Sequence, residues 1–287
     1  MARGHTLCPQ GHSHPTFMEL FFRKYGEAGP PLIIVHGLYG SGDNWVSIAR
    51  ELSDRFEVFV VDQRNHGQSP HSEVHDYPAM REDLREFMDS QGIQKAVLIG
   101  HSMGGKTVMH FAEAWPERVQ SLISIDIGPK SYRNLALASR SAANHPAMID
   151  AMRKLDLSKM ETREEIDAAL GPSIGSGRIR GFLLKNVRRD GDGTFTWQIN
   201  LKALADNIDQ IFEGMDREAI AARGGITGFP VLFISGENSD YIRVQDYSLL
   251  RDIFPTAEVV TIPGTGHWVH AEQPDLLVKN IRYFLEV

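Results

Sequence analysis

The run Ile-Gly-His-Ser-Met-Gly-Gly at residues 99–105 limits what this chain can fold into more than any other stretch. An apolar run at 96–99 precedes it, and a segment of helical spacing begins near Met103. A small residue stands on each side of Ser102, Gly100 before it and Gly104 after it. That is what a sharp strand-to-helix turn needs if it is to hold a serine in a strained backbone conformation with its hydroxyl exposed. Ser102 is therefore a candidate nucleophile, and the rest of the chain is read for its partners.

With 287 residues and 42% hydrophobic content, the chain is long enough for one large core carrying an inserted subdomain. A net charge of -7 argues against nucleic acid or an anionic membrane surface as main partner, since either needs a basic field. The single cysteine, Cys8, forms no internal disulfide, which favours a cytoplasmic location. Residues 1–16 lack an apolar stretch of signal-peptide type and read as a flexible leader. No later run is apolar for long enough to span a bilayer, so no integral membrane segment is expected.

In chain order, residues 17–25 alternate as an edge strand does, and 32–35 form a short apolar run of the kind buried on both faces of a parallel sheet. His36, Gly37 and Leu38 follow directly. Glycine there allows close backbone approach, and the loop is placed to give one backbone N–H, that of Leu38, to an oxyanion hole; Met103 gives the second. His36 reads as a buried brace for the loop rather than a base. Helical spacing at 43–52 leads to a strand at 57–61, a polar turn at 62–69 read as structural, and a helix at 78–91 with Leu84, Phe87 and Met88 on its core stripe. His66, His71 and His75 have no cysteine or carboxylate completing a tight ligand set, so no metal is assigned. An apolar strand at 119–125 ends in Asp126. Strands alternating with helices from 32 to 126 imply crossover units and a parallel sheet, with functional groups at the strands' carboxyl ends.

Between 128 and 228 the strand signal disappears. Helical segments at 147–155 and 163–170 and a loop-like stretch at 171–181 make this an inserted helical cap over the serine. Arg178, Arg180, Lys185, Arg188 and Arg189 form a local basic cluster, read first as a solvated face and second as an anion site. Strand signals resume at 230–235 and 258–262, with a helix at 245–254 between them. His267 then stands between a glycine-rich turn and a final helix at 274–285, late in the chain as a Ser, acid, His order requires, and is the candidate base. His270 reads as a packing residue.

Six ordered runs carry a wider likeness: SGDNW at 41–45, DQRNHGQSPHS at 62–72, GHSMGGK at 100–106, SIDIGP at 124–129, FLLKN at 182–186 and GHWVHAEQP at 266–274. With them the sequence resembles the α/β-hydrolase superfamily over nearly everything after residue 16, and more narrowly the YbfF and ABHD11-type esterases. The resemblance implies the α/β-hydrolase fold, a mostly parallel central sheet flanked by helices. Its core would be 17–128 and 229–287, with the helical cap at 129–228. It also implies a serine hydrolase that cleaves a small acyl ester or thioester substrate without a cofactor. For the triad acid, most of the superfamily uses a position that here is Ser239, with Asp240 one residue late; the narrower group's pattern points to Asp126. Either loop lies at the carboxyl edge of the sheet and reaches Nδ1 of His267. Asp126 needs no register shift and is preferred, with Asp240 the alternative. A dehalogenase would need a carboxylate in place of Ser102. A cofactor-free perhydrolase with the same triad and a non-catalytic receptor on the same fold remain as other readings.

Overall fold

The computed structural model describes residues 18–133 and 144–286. The leader reading at 1–16, Cys8 and part of the expected cap, 134–143, lie outside the described residues. Seven strands form one sheet in the order β1 (Phe22–Tyr25), β3 (Glu57–Val61), β2 (Pro31–Val35), β4 (Ala96–His101), β5 (Val119–Ile125), β8 (Val231–Gly236) and β9 (Ala257–Ile262). Only β1, at the edge, runs antiparallel to its neighbour; every other pairing in this sheet is parallel. This is the α/β-hydrolase fold.

The period of two along each strand builds a core on either face. Ile33, Val35, Leu98, Leu122 and Phe233 point to one side, where α2 (Tyr77–Ser90) packs Leu84, Phe87 and Met88 beside Phe111 of α3 (Met103–Ala114). Leu32, Ile34, Val97, Ile123 and Ile234 point to the other, against α1 (Val46–Leu52) and the last helix, Pro274–Phe284. Both faces being covered, the central strands read as continuous apolar runs rather than alternating ones. The sheet is wound in opposite directions from β2 and β4, and the crevice at their carboxyl ends is where such sheets bind ligands.

Between β5 and β8 the chain leaves the sheet. It forms α4 (His145–Lys154), α5 (Arg163–Leu170), α6 (Gly177–Leu183), α7 (Leu201–Ile211) and α8 (Arg217–Ala222). Helices α4 to α7 share a third apolar cluster with Leu38, Tyr39, Tyr77 and Met103 of the core, whereas Ile220 of α8 packs into the first. The end of α7 is pinned from below. Tyr77 Oη donates to the Ile211 carbonyl at 2.8 Å, and the buried ammonium of Lys106 donates to the Glu213 carbonyl between the rings of Tyr77 and Tyr132.

Several local readings of the sequence are corrected. The insertion is not purely helical: β6 (Val187–Arg189) pairs antiparallel with β7 (Phe195–Trp197). Three-residue strands are too short for alternation to register. The stretch 171–181 is not all loop, because α6 starts at Gly177 with Ser176 accepting from the Ile179 N–H as its cap. Gly177 and Gly181 lower helix propensity, and the cap with tertiary packing overrides them. Of the strand expected over 17–25, the described residues pair from Phe22 to Tyr25. The helix expected over 43–52 opens as a 3₁₀ turn, Gly42–Trp45, before α1. Among the described residues no helix is long and apolar enough to cross a membrane.

Candidate active site

Ser102 sits between β4 and α3 at φ 53°, in the left-handed region that a residue with a side chain avoids. The turn is tight enough that a Cβ at Gly100 would lie 2.3 Å from the Gly104 carbonyl oxygen, and one at Gly104 would lie 2.2 Å from that of Val35. Only glycine fits at either place. The Ser102 hydroxyl is 3.0 Å from Nε2 of His267.

His267 follows β9, in the loop before the short helix Val269–Glu272. Its Nδ1 is 2.8 Å from Oδ2 of Asp126. Asp126 is fully buried at the end of β5 and is itself left-handed, at φ 50°. Its carboxylate also accepts the Gly236 N–H at 3.0 Å and the Ser239 hydroxyl. An ionised carboxylate only accepts, so Nδ1 carries the imidazole proton and Nε2 offers its lone pair to the serine hydroxyl. Two further contacts hold this residue, one at its ring and one at its backbone. Tyr241 stacks on it at 4.1 Å and 18°, and Nε2–H of His101 donates to the His267 carbonyl at 2.8 Å.

The structure thus brings Ser102, His267 and Asp126 together. Asp240 is ion-paired with Arg243 at 2.7 Å, and it is the neighbouring Ser239 that reaches Asp126. Behind the serine, the N–H of Met103 belongs to the first residue of α3 and has no acceptor within its helix. In the facing loop the Tyr39 N–H donates to His66 Nε2 and that of Gly40 to the Gly37 carbonyl. The N–H of Leu38 has no acceptor among the described residues. A Cβ at Gly37 would come within 3.0 Å of that of Ser102, so this loop lies directly against the elbow.

His36 is buried with both ring nitrogens engaged, donating to the Gly37 carbonyl at 2.8 Å and accepting the Gln63 N–H at 2.9 Å. Burial pushes its pKa down to about 4. It braces the loop and has no nitrogen left to act as a base. Among the described residues no group of three or more His, Cys, Asp or Glu side chains is placed to hold a metal, the histidines at 66, 71 and 75 included. Of the five basic residues between 178 and 189, four have partners of their own. Arg180 pairs with Asp167, Arg188 with Asp190, Arg189 donates to two backbone carbonyls, and Arg178 pairs with Glu272 over the Trp268 ring.

A cavity of about 200 Å³ opens on Ser102 and His267, with Leu38, Met148, Ile179 and Leu183 giving it apolar walls from both core and insertion. Tyr241 and His145 also line it. Neither carried a sequence signal, because each arrives from a distant segment with no motif around it. The site as a whole presents a hydroxyl, a base with a fixed tautomer, two N–H groups and an apolar chamber, the set that acyl transfer requires.

A sequence profile for the alpha/beta hydrolase fold matches residues 30–274. The chain is 38% identical over 255 residues to the esterase YbfF of Escherichia coli (strain K12), covering 89% of this chain and 92% of that protein. It is 36% identical over 264 residues to the sn-1-specific diacylglycerol lipase ABHD11 of Xenopus tropicalis, covering 90% of this chain and 78% of that protein. Among solved structures, a marine microorganism esterase superposes with a TM-score of 0.86 at 47% identity, over 93% of this chain and 99% of that one.

Proposed function

The chain belongs to the α/β-hydrolase family, among its carboxylic ester hydrolases, and from that premise we propose that it hydrolyses acyl esters through an acyl-enzyme on Ser102. The observation that carries the reading is the continuous line of contacts from Asp126 through His267 to Ser102, at 2.8 and 3.0 Å. His267 Nε2 takes the hydroxyl proton as Ser102 Oγ attacks the acyl carbonyl carbon. The N–H groups of Leu38 and Met103 hold the oxyanion. His267 then gives the proton to the leaving oxygen, and the alcohol departs. Water enters, loses a proton to the same nitrogen, and releases the carboxylic acid. Asp126 fixes the imidazole tautomer and stabilises the imidazolium.

The acyl group lies in the apolar part of the cavity. Its volume, about 200 Å³, is below the roughly 300–1,000 Å³ of sites for drug-sized ligands, which favours short acyl chains. A thioester of the same acid reaches the same acyl-enzyme, so thioesterase activity belongs to this proposal. The test is p-nitrophenyl butyrate turnover together with fluorophosphonate labelling. The wild-type chain turns over the ester and is labelled at Ser102, and Ser102→Ala loses both; a Ser102→Ala protein with wild-type turnover sinks the mechanism.

A further inference from the structure

The run FLLKN ends at Asn186, a residue the mechanism above does not use. Asn186 closes the 3₁₀ turn Leu184–Asn186 between α6 and β6 and is 4% exposed. Its carbonyl accepts the Gln198 N–H at 2.8 Å, which ties its backbone to the residue after β7. The side chain reaches out of the insertion. Its Nδ2 donates to the Leu183 carbonyl at 3.2 Å and, across to the core, to the Tyr39 carbonyl at 2.8 Å. Both partners are carbonyls and only accept, so the nitrogen is the atom that faces them.

Tyr39 lies in the loop against the elbow, and its backbone is left-handed at φ 61°. A conformation of that kind persists only where the surroundings impose it. His66 Nε2 accepts the Tyr39 N–H at 3.2 Å, Asn186 holds the carbonyl, and the hydroxyl lies 3.3 Å from Nδ1 of His145. The peptide whose carbonyl Asn186 holds carries the Gly40 N–H, and that N–H donates to the Gly37 carbonyl at 2.9 Å. The Gly37 carbonyl in turn shares its peptide with the Leu38 N–H. No peptide bond among the described residues is cis, so this carbonyl and N–H point in opposite directions, and fixing the one aims the other. His36 gives the same carbonyl its other donor, from within the core. Two donors set the plane of the peptide, where one leaves it free to swing. A line of hydrogen bonds through two peptide units therefore runs from Asn186 to Leu38, on the wall of the serine cavity, and each bond in such a line polarises the next.

We propose that Asn186 is a positioning residue of the oxyanion hole: its amide locks the loop at Tyr39 and, through Gly40 and Gly37, holds the Leu38 N–H on the oxyanion. This rests on the reading of Ser102 as nucleophile and Leu38 as donor. It ties activity to the seating of the insertion, because the locking amide comes from there and not from the core.

The test uses Asn186→Leu, which keeps the volume and loses the donor, and Asn186→Ala, which cannot overpack the site. Rates on p-nitrophenyl butyrate are referred to sites labelled by fluorophosphonate, so unfolded protein does not count. Outright loss of an oxyanion donor costs about 10²- to 10³-fold in kcat, and a misdirected donor costs less. Both variants are expected to lose about tenfold in kcat, with KM within about twofold of wild type. The Ki of propyl trifluoromethyl ketone, whose serine adduct carries the oxyanion, rises by the same factor. Tyr77→Phe is the control: it loosens the insertion at the Ile211 carbonyl and keeps the wild-type kcat and Ki. A folded Asn186 variant in which either kcat or that Ki stays at the wild-type value overturns the proposal. So does a loss that Tyr77→Phe matches, because Asn186 is then only one more anchor for the insertion. Failure of the underlying reading looks different, since the wild-type chain is then neither labelled nor inhibited.

Discussion

Asp126 combines two features that each cost free energy, a fully buried carboxylate and a left-handed backbone at a residue with a side chain. Three donors offset the first: the Gly236 N–H, the Ser239 hydroxyl and His267 Nδ1–H. Replacing the carboxylate by an amide keeps the shape but lets the imidazole settle in the wrong tautomer. Asp126→Asn is expected to lower kcat by about 10³- to 10⁴-fold, while Asp240→Asn, which weakens a partly exposed pair with Arg243, changes it by less than about threefold. Steady-state kinetics on p-nitrophenyl butyrate separate the two, and a larger loss in Asp240→Asn reverses the assignment. Ser239→Ala removes one hydrogen bond to the charged carboxylate and leaves the Nδ1 contact in place. Its expected cost is about tenfold in kcat, with KM little changed.

At the scale of elements, the loop after β2 stands on a wall of histidines that must stay neutral. His36 and His66 are in ring contact at 5.2 Å, and His66 Nε2 accepts the Tyr39 N–H at 3.2 Å. Burial pushes His36 down to about 4 and His66 down to about 3. Both rings are neutral when folded and unfolded above pH 6.5. Between 6.5 and the depressed values the unfolded chain binds protons that the native one does not, so stability falls as pH falls. Each histidine then removes about 2 kcal/mol by pH 5. Urea titrations at pH 7 and pH 5 measure the loss, and His36→Asn, which cannot titrate, should make it smaller; equal losses in both proteins refute the account. The insertion has its own anchor in Tyr77 Oη, which satisfies the Ile211 carbonyl at the end of α7. Tyr77→Phe leaves that carbonyl without its donor. The expected cost is about 1 kcal/mol, a fall of about 2 °C in Tm by calorimetry.

For the whole molecule, the insertion meets the core near the serine through Arg178, which pairs with Glu272 while lying over Trp268. The arginine side chain is 56% exposed, so the pair contributes little stability. Arg178→Ala is expected to leave Tm within about 2 °C while raising KM, because its effect is on the mouth of the cavity rather than on the fold. A Tm drop without a KM change contradicts this. The strand–elbow–helix at Ser102, the parallel sheet and the late histidine were legible in the sequence because each is local: apolar periods of two, glycines beside a serine, a glycine-rich turn before a helix. The β6–β7 pair and α6 were not, since strands of three residues and a glycine-bearing helix depend on partners far along the chain. The site divides the same way. Local chemistry determined by itself which side chains could attack and which could take a proton. Only the tertiary structure decided that Ser239 and Gly236 turn their donors onto Asp126, that Tyr241 covers His267, and that His270 lines the cavity at the serine. Each of those contacts joins segments that meet only when the sheet closes, and no local period or motif encodes such a meeting.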